Sequence, residues 1–333
     1  MDKKIIVVTG ATGHVGVGLL HELKKRNEFV RAVVTKDGKH DYIKNLCNEI
    51  VIGDVRDIDC LEKIFKGASV VYHLAGIITI GAENKSLLKS VNIDGTKNVI
   101  NACKKCGVKR LIYTSSVHAI SIIKKGLIMK EQKQYNEKKL IGNYAKSKAI
   151  ATDMVLKANS KKLETVVCFP SGVIGPYSYK ISNIGQLILD FANKRMPLYF
   201  DGAYNYVDVR DVAFGLAQAE ILGKPGAGYI LANRVMSIKE MLDILEAKTG
   251  VKKAKYKLPI WLLKIFAPFA ELYYFIFKKK PVFTRYSLYT LSVNAEFSSD
   301  KAKKDLKYKT RDLKTSFEDE IDFVLNLKKI KIK

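Results

Sequence analysis

Tyr144 and Lys148, in the stretch GNYAKSKAIA (142–151), stand four residues apart and so share one face of a helix. A phenol titrates at about 10 and is a poor acid–base group at neutral pH; an ammonium beside it favours the phenolate and draws that value down. The pair can therefore be a proton-transfer centre, or an ordinary pair on a wet, lysine-rich helix. Upstream, LIYTSSVHAI (111–120) ends a strand-like run with Thr114, Ser115 and Ser116. These hydroxyls can donate to a carbonyl oxygen or serve as plain turn residues. Near the beginning, VVTGATGHVG (7–16) sets Gly10, Gly13 and Gly16 three apart between a strand pattern and a helix pattern. Glycine there permits a tight turn and lets backbone amides approach a pyrophosphate at the positive end of the helix.

The elements that must position these groups are legible as alternating patterns. β-branched runs occupy 3–10, 29–35, 48–53, 69–76, 109–116 and 164–170, separated by helical stretches such as HVGVGLLHELKKR and LLKSVNIDGTKNVINACKKCG. Near-continuous apolar strands alternating with helices predict an α/β chain with a doubly wound parallel sheet, the Rossmann fold, binding ligands at the strands' carboxyl ends. A smaller, mostly helical C-terminal substrate lobe is expected after it. The division expected is 1–170 for the dinucleotide-binding domain, with 205–232 packing back onto it, and 171–204 plus 233–333 for the lobe.

In the later half, helices are expected over 184–195, 209–222 and 237–249, the third opening with the capping-box pair Ser237 and Glu240. Thr315 and Glu318 begin a last amphipathic helix with Phe317, Ile321 and Val324 on one stripe. The segment LPIWLLKIFAPFAELYYFIFKKKPVF (258–283) is the most apolar and aromatic; Pro259, Lys264, Pro268 and Glu271 interrupt it, so buried lobe or lid helices are expected. Weak association with a membrane surface is the alternative for this segment.

At the end of the second strand, Thr35 and Lys36 precede Asp37 and Lys39. An acid at the strand end suits the ribose of NAD and cations suit the extra phosphate of NADP, so NADP is preferred and NAD stays open. Asp54 and Val55, after the third strand, stand where an adenine amino group and ring face would lie, or in a solvated turn.

Composition removes several classes. The net charge is +25, yet only nine of the 58 basic residues are arginine, and the lysines are dispersed, which argues against a nucleic-acid partner. Five cysteines, with Cys103 and Cys106 in a lone C-x-x-C, suit packing or surface thiols better than a metal site. No apolar run reaches the roughly 18 residues of an integral membrane segment. A reduced, cytoplasmic protein is the default expectation.

The order T-G-x-x-G-x-x-G, Asp54, HLAG, VNIDGTKNV, a strand-end serine and Y-x-x-x-K resembles the extended short-chain dehydrogenase/reductase superfamily, the NAD-dependent epimerase/dehydratase type. Within it the chain looks most like the dihydroflavonol-reductase-like and 3-beta-hydroxysteroid-dehydrogenase-like branch. FPSGVIGP (169–176), NYVDVRDVA (205–213) and FSSDKAKKDLKY (297–308) extend the likeness over nearly the whole chain.

The resemblance implies that Gly10, Thr12, Gly13, His14, Val15 and Gly16 hold the pyrophosphate, although His14 stands where relatives carry an aromatic or aliphatic residue. It also implies that Asp54 and Val55 meet adenine, and that Leu74, Ala75 and Gly76 pass beneath the cofactor. Asn92 would support the active-site helix. Ser116 would orient the substrate carbonyl, with Ser115 in reserve beside Thr114. Tyr144 would carry the proton and Lys148 would bind the ribose, while Pro170, Ser171 and Val173 would contact the nicotinamide end.

The function expected is an NAD(P)-dependent oxidoreductase that interconverts a ketone or aldehyde and an alcohol, on a small, apolar or aromatic substrate. One alternative is a nucleotide-sugar epimerase or dehydratase with retained NAD. Another is a non-catalytic dinucleotide sensor. Relatives of this type often form a homodimer through helices that here would span about 84–106 and 140–158.

Overall fold

The computed structural model describes residues 4–36, 38–78, 85–124, 126–196, 198–254, 256–276 and 285–329. The first half runs β1 (Ile5–Thr9), α1 (His14–Lys25), β2 (Phe29–Val34), β3 (Glu49–Ile52), α2 (Ile58–Phe65), β4 (Ala68–His73), α3 (Lys85–Leu88), α4 (Gly95–Lys105), β5 (Arg110–Thr114), α5 (Asn143–Lys157) and β6 (Glu164–Pro170). It continues through β7 (Gly172–Ile174), α6 (Asn183–Ala192), β8 (Leu198–Phe200), β9 (Ala203–Asp208), α7 (Val209–Leu222) and β10 (Ala227–Leu231). The remainder is β11 (Arg234–Ser237), α8 (Ile238–Thr249), β12 (Tyr256–Leu258), α9 (Ile260–Ile276), α10 (Arg285–Ser292), α11 (Asp300–Leu306) and α12 (Leu313–Leu327).

Seven strands form one parallel sheet in the order β10-β6-β5-β4-β1-β2-β3. The order reverses between β1 and β4, the switch point beside which such sheets bind ligands. Alternate residues of the central strands face opposite layers. Val7, Val71, Leu111 and Val167 join the side covered by α2, α4 and α5. Ile6, Val8, Tyr72 and Ile112 join the side covered by α1 and α7. Burial on both faces is why these strands read as unbroken apolar runs.

Glu220 of α7 fastens the sheet to its helices. Its carboxylate accepts from Tyr72 Oη at 2.6 Å and pairs with Arg26 and Lys4. Those partners offset the cost of burying the charge.

Beyond β6 the chain enters a three-stranded sheet, β11-β9-β7, and a two-stranded one, β12-β8. Helices α6, α8 and α12 close a separate core there through Ile188, Leu245, Phe317 and Val324. Strand β10 returns to the large sheet beside β6, and α11 packs over α7 and β10.

Three local expectations need correction or refinement. Helix α12 starts two residues before Thr315, because Asp312 is the cap: its side chain accepts from Thr315 N at 2.9 Å. Ser237 does cap α8, accepting from Glu240 N, but the Glu240 carboxylate turns to Arg234 instead of closing the box. In the apolar segment, α9 continues through Pro268, and Trp261, Ile265, Phe266, Phe269 and Ile276 are exposed instead of buried. The rest of that segment, residues 277–283, lies outside the described residues, as does Asp37.

Cys103 is buried, and Cys106 Sγ donates to the Glu62 carbonyl; among the described residues no cluster suited to a metal ion occurs. No described helix is long and apolar enough to cross a membrane. Removing the α12 cap with Asp312→Ala should lower the unfolding free energy by about 1 kcal/mol, read as a reduced urea midpoint. An unchanged midpoint would mean the helix does not depend on it.

Candidate active site

The glycine turn between β1 and α1 leaves no room for side chains. Gly10 lies at φ +73°, and a Cβ there would stand 2.6 Å from Ala75 N; one on Gly16 would stand 2.8 Å from the Ala11 carbonyl oxygen. Gly13 starts α1 with no side-chain cap, and the first turn holds no acid. The opening amides of α1, from His14 to Gly16, are therefore left to an anion at the positive end of the helix. Val15 lines the same wall. The His14 ring is otherwise engaged: its Nε2–H donates to the Pro176 carbonyl at 2.8 Å, and burial pushes its pKa down, leaving it neutral. Only its backbone amide is free to meet a phosphate.

A cleft of about 390 Å³ runs from this turn across the carboxyl ends of the strands. Leu74 and Gly76 form part of its floor, and Thr114, Ser115, Ser116, Tyr144 and Lys148 form its far wall. Pro170, Ser171 and Val173 close the end. Thr114 Oγ1 and Ser171 Oγ are buried without a hydrogen-bond partner. Two orphaned hydroxyls beside a tight amide cradle suit a dinucleotide with a polar end, so the residues present fit an NAD(P) cofactor.

The walls are held by a buried hydrogen-bond chain. Thr96 Oγ1 donates to the Asn92 carbonyl at 2.7 Å, so it accepts from His73 Nε2–H at 3.0 Å. His73 Nδ1 then accepts from Thr9 Oγ1 at 2.8 Å, and Ala75 N–H closes on Thr9 at 3.4 Å. Burial lowers the His73 pKa to about 3, with Lys148 adding to the effect, so the ring stays neutral.

Asn92 lies in a π-helical turn, Lys89–Asp94, a distortion often found at functional sites. Its Oδ1 accepts from Ile77 N at 2.9 Å, and its Nδ2 donates to Ile77 O and to Ser147 Oγ. Ser147 Oγ donates to the Tyr144 carbonyl at 2.8 Å. The side chain of Asn92 thus acts directly on α5 and does not line the cleft.

Of the three strand-end hydroxyls, Ser115 turns to Thr152 Oγ1 at 2.6 Å, while Ser116 accepts from His118 N and hydrogen-bonds the Tyr144 phenol. Lys148 Nζ donates to the Thr114 carbonyl at 2.8 Å and to Tyr113 Oη at 3.2 Å. The electrostatics differ from the sequence expectation. Burial pushes the Tyr144 phenol up to about 12, against the pull of Ser116, and drives Lys148 down to about 7. Lys148 does not draw the phenol down here because both groups are desolvated and its Nζ is directed at Thr114. Tyr144 is consequently a neutral hydroxyl, ready to give a proton.

Other expected residues stand away from this centre. Thr12 receives the Tyr42 hydroxyl on its carbonyl, and Thr35 and Lys36 are exposed just beyond β2. Asp54 lies past β3 with its carboxylate gripped by Arg56 through Nε (3.0 Å) and Nη2 (2.6 Å), which holds its pKa low. Val55 is buried against Gly95, and Ala75 only brushes Gly10.

The sequence did not single out His118, Tyr204 or Tyr286. His118 Nε2 lies 3.1 Å from Tyr204 Oη and Nδ1 lies 3.3 Å from Tyr286 Oη, and its ring meets Tyr144 edge-on at 5.7 Å. Burial lowers its pKa to about 4. These rings stand between the cleft and a second cavity of about 340 Å³, lined mostly by apolar groups including Ile184, Leu187, Phe200 and Met241. Ile78, His118, Tyr144 and Tyr204 line both spaces. Three rings from β9, α10 and a turn after β5 converge only in the fold, so no local pattern marks them. Lys180, also unforeseen, brings an exposed ammonium to the cleft.

Residues 7–214 match the 3-beta hydroxysteroid dehydrogenase/isomerase family. A Synechocystis protein provisionally named dihydroflavonol 4-reductase is 35% identical over 264 residues, covering 78% of this chain and 77% of its own length. Sterol demethylase protein B of Methylococcus capsulatus is 27% identical, with 95% and 96% covered. The crystal structure of gox2253 superposes with a TM-score of 0.86 at 32% identity, over 99% of this chain and 100% of that one.

The buried lysine has a consequence for the cofactor-free protein. Lys148 releases its proton at about 7 when folded and near its ordinary 10.5 when unfolded. Between those values the unfolded chain binds more protons, so this group's contribution to stability rises with pH. Lys148→Met should therefore be more stable than the parent at about pH 6 and lose that advantage toward about pH 10, measured by thermal unfolding. An advantage constant with pH would mean Lys148 is not desolvated.

Proposed function

The chain belongs to the 3-beta hydroxysteroid dehydrogenase/isomerase family, and we propose that it interconverts a carbonyl and an alcohol on an apolar molecule, with NADP as cofactor. Members of the family are NAD-dependent oxidoreductases, dehydratases or epimerases. The observation that carries the finer assignment is the position of Tyr144, whose ring borders both the cofactor cleft and the apolar cavity. A substrate seated among Leu187, Phe200 and Met241 would present its oxygen to the phenol. The sterol in the name of the Methylococcus relative is a molecule of this apolar kind.

When bound, the nicotinamide supplies or takes up a hydride. In the reducing direction the carbonyl oxygen gains negative charge, and the hydroxyls of Ser116 and Tyr144 are the donors placed to meet it. Tyr144, kept neutral by burial, gives its proton and becomes a phenolate. Lys148 lies one helical turn on; negative charge nearby raises its pKa and favours the ammonium, which in turn stabilises that phenolate. Backbone amides of His14 to Gly16 and the hydroxyls of Thr114 and Ser171 would hold the dinucleotide, with Lys36 and Lys180 toward its phosphates. Residues 1–170 with 205–232 would form the cofactor half, and 171–204 with 233–333 the substrate half, α11 excepted.

Tyr144→Phe should lower kcat for carbonyl reduction by about 100-fold or more, the scale of general acid catalysis, with NADPH binding unchanged by fluorescence titration. Full activity in that variant would remove Tyr144 from the chemistry. Lys36→Glu should cut the preference for NADPH over NADH by about tenfold, the effect of placing an acid at the strand end; an unaltered ratio of kcat/KM values would exclude Lys36 from cofactor choice. NAD retained through purification without net consumption would favour the epimerase chemistry instead.

A further inference from the structure

Helix α9 has two apolar sides. One is buried: Leu263 and Ala267 pack on Leu288 of α10, with Phe200 and Leu258 against them. The other carries Trp261, Ile265, Phe266, Phe269 and Ile276, each more than half exposed. At the helical repeat, Trp261, Ile265, Phe269 and Ile276 fall on one stripe. Scattered apolar residues on a surface are ordinary, but Trp261, Ile265, Phe266 and Phe269 follow one another within about two turns of the helix, the kind of patch that marks interaction sites.

Charge selects what covers it. From Lys252 to Arg285 the sequence holds nine lysines and arginines against one acid, Glu271, within a chain of net charge +25. Lys252, Lys253 and Lys257 hold carboxylates, while Lys278, Lys279 and Lys280 follow α9 directly in the sequence. A second copy would bring like charge against like. An anionic lipid surface offers both the charge and the apolar phase.

Length sets how the helix would lie. The seventeen described residues of α9 span about 25 Å at the α-helical rise, short of the roughly 30 Å hydrocarbon layer. The helix would rest along the interface. Its buried side touches Phe200, which also lines the apolar cavity, so docking there would hold that cavity close to lipid-dissolved molecules.

We propose that the exposed face of α9 docks the protein onto anionic lipid surfaces, independently of the reaction assigned above. Trp261 is the chain's one tryptophan, so its fluorescence reports the docking directly. The full chain should be titrated with phosphatidylcholine vesicles containing about 30% phosphatidylserine, to favour electrostatic attraction. The expected result is a blue shift of Trp261, quenching by brominated lipid, and co-sedimentation that weakens with salt and nearly vanishes on pure phosphatidylcholine. Ile265→Ser with Phe269→Ser should reduce vesicle affinity by about tenfold or more, and so should Lys278→Glu with Lys279→Glu and Lys280→Glu, which keeps the exposed apolar residues of α9 in place. An unshifted spectrum with no co-sedimentation would overturn the proposal. So would a blue shift that grows with protein concentration without vesicles and accompanies dimers in sedimentation equilibrium.

Discussion

The geometry of the site depends on the buried amide of Asn92. Its three hydrogen bonds join the loop after β4 to α5, and its carbonyl ends the chain that starts at Thr9 on β1. The glycine turn, the strand-end loop and the tyrosine helix are thereby set in one frame. The side-chain polar atoms of Thr9, His73, Asn92, Thr96 and Ser147 all have partners, which is the condition under which a buried polar network specifies a structure instead of weakening it. The π-helical turn around Asn92 is the local distortion that aims its amide at both neighbours.

That frame keeps water away from two groups with opposite preferences. Desolvation holds Tyr144 neutral and makes the Lys148 ammonium costly, so the resting site contains a phenol and a cation that gives up its proton readily. His73 and His118, also neutral, add hydrogen bonds without charge. A site so arranged responds to negative charge arriving beside Lys148, and the orphaned hydroxyls of Thr114 and Ser171 mark where a polar ligand would complete it.

Much of this was legible in the sequence because it rests on local rules. Strand periodicity, the glycine spacing and the Y-x-x-x-K pair each follow from backbone geometry, and the parallel sheet is where they pointed, although its edge strand β10 was not among the six runs read. Two kinds of feature were not legible. Residues that converge from distant elements, such as His118, Tyr204 and Tyr286, leave no spacing to read. Decisions made by competing partners are equally hidden: Asp312 rather than Thr315 caps α12, and Arg56 claims the Asp54 carboxylate. Hydropathy also misplaced α9, because a run of apolar residues does not say whether its face turns inward or outward.

In the proposed reaction, Tyr144 meets a substrate oxygen at the junction of the cofactor cleft and the apolar cavity. A crystal structure of the protein with NADP and an apolar ketone tests it most directly. The ketone oxygen should lie within hydrogen-bonding distance of Tyr144 Oη and Ser116 Oγ, with the body of the molecule among Leu187, Phe200 and Met241. A ketone bound with its oxygen away from Tyr144, or outside the apolar cavity, would contradict it.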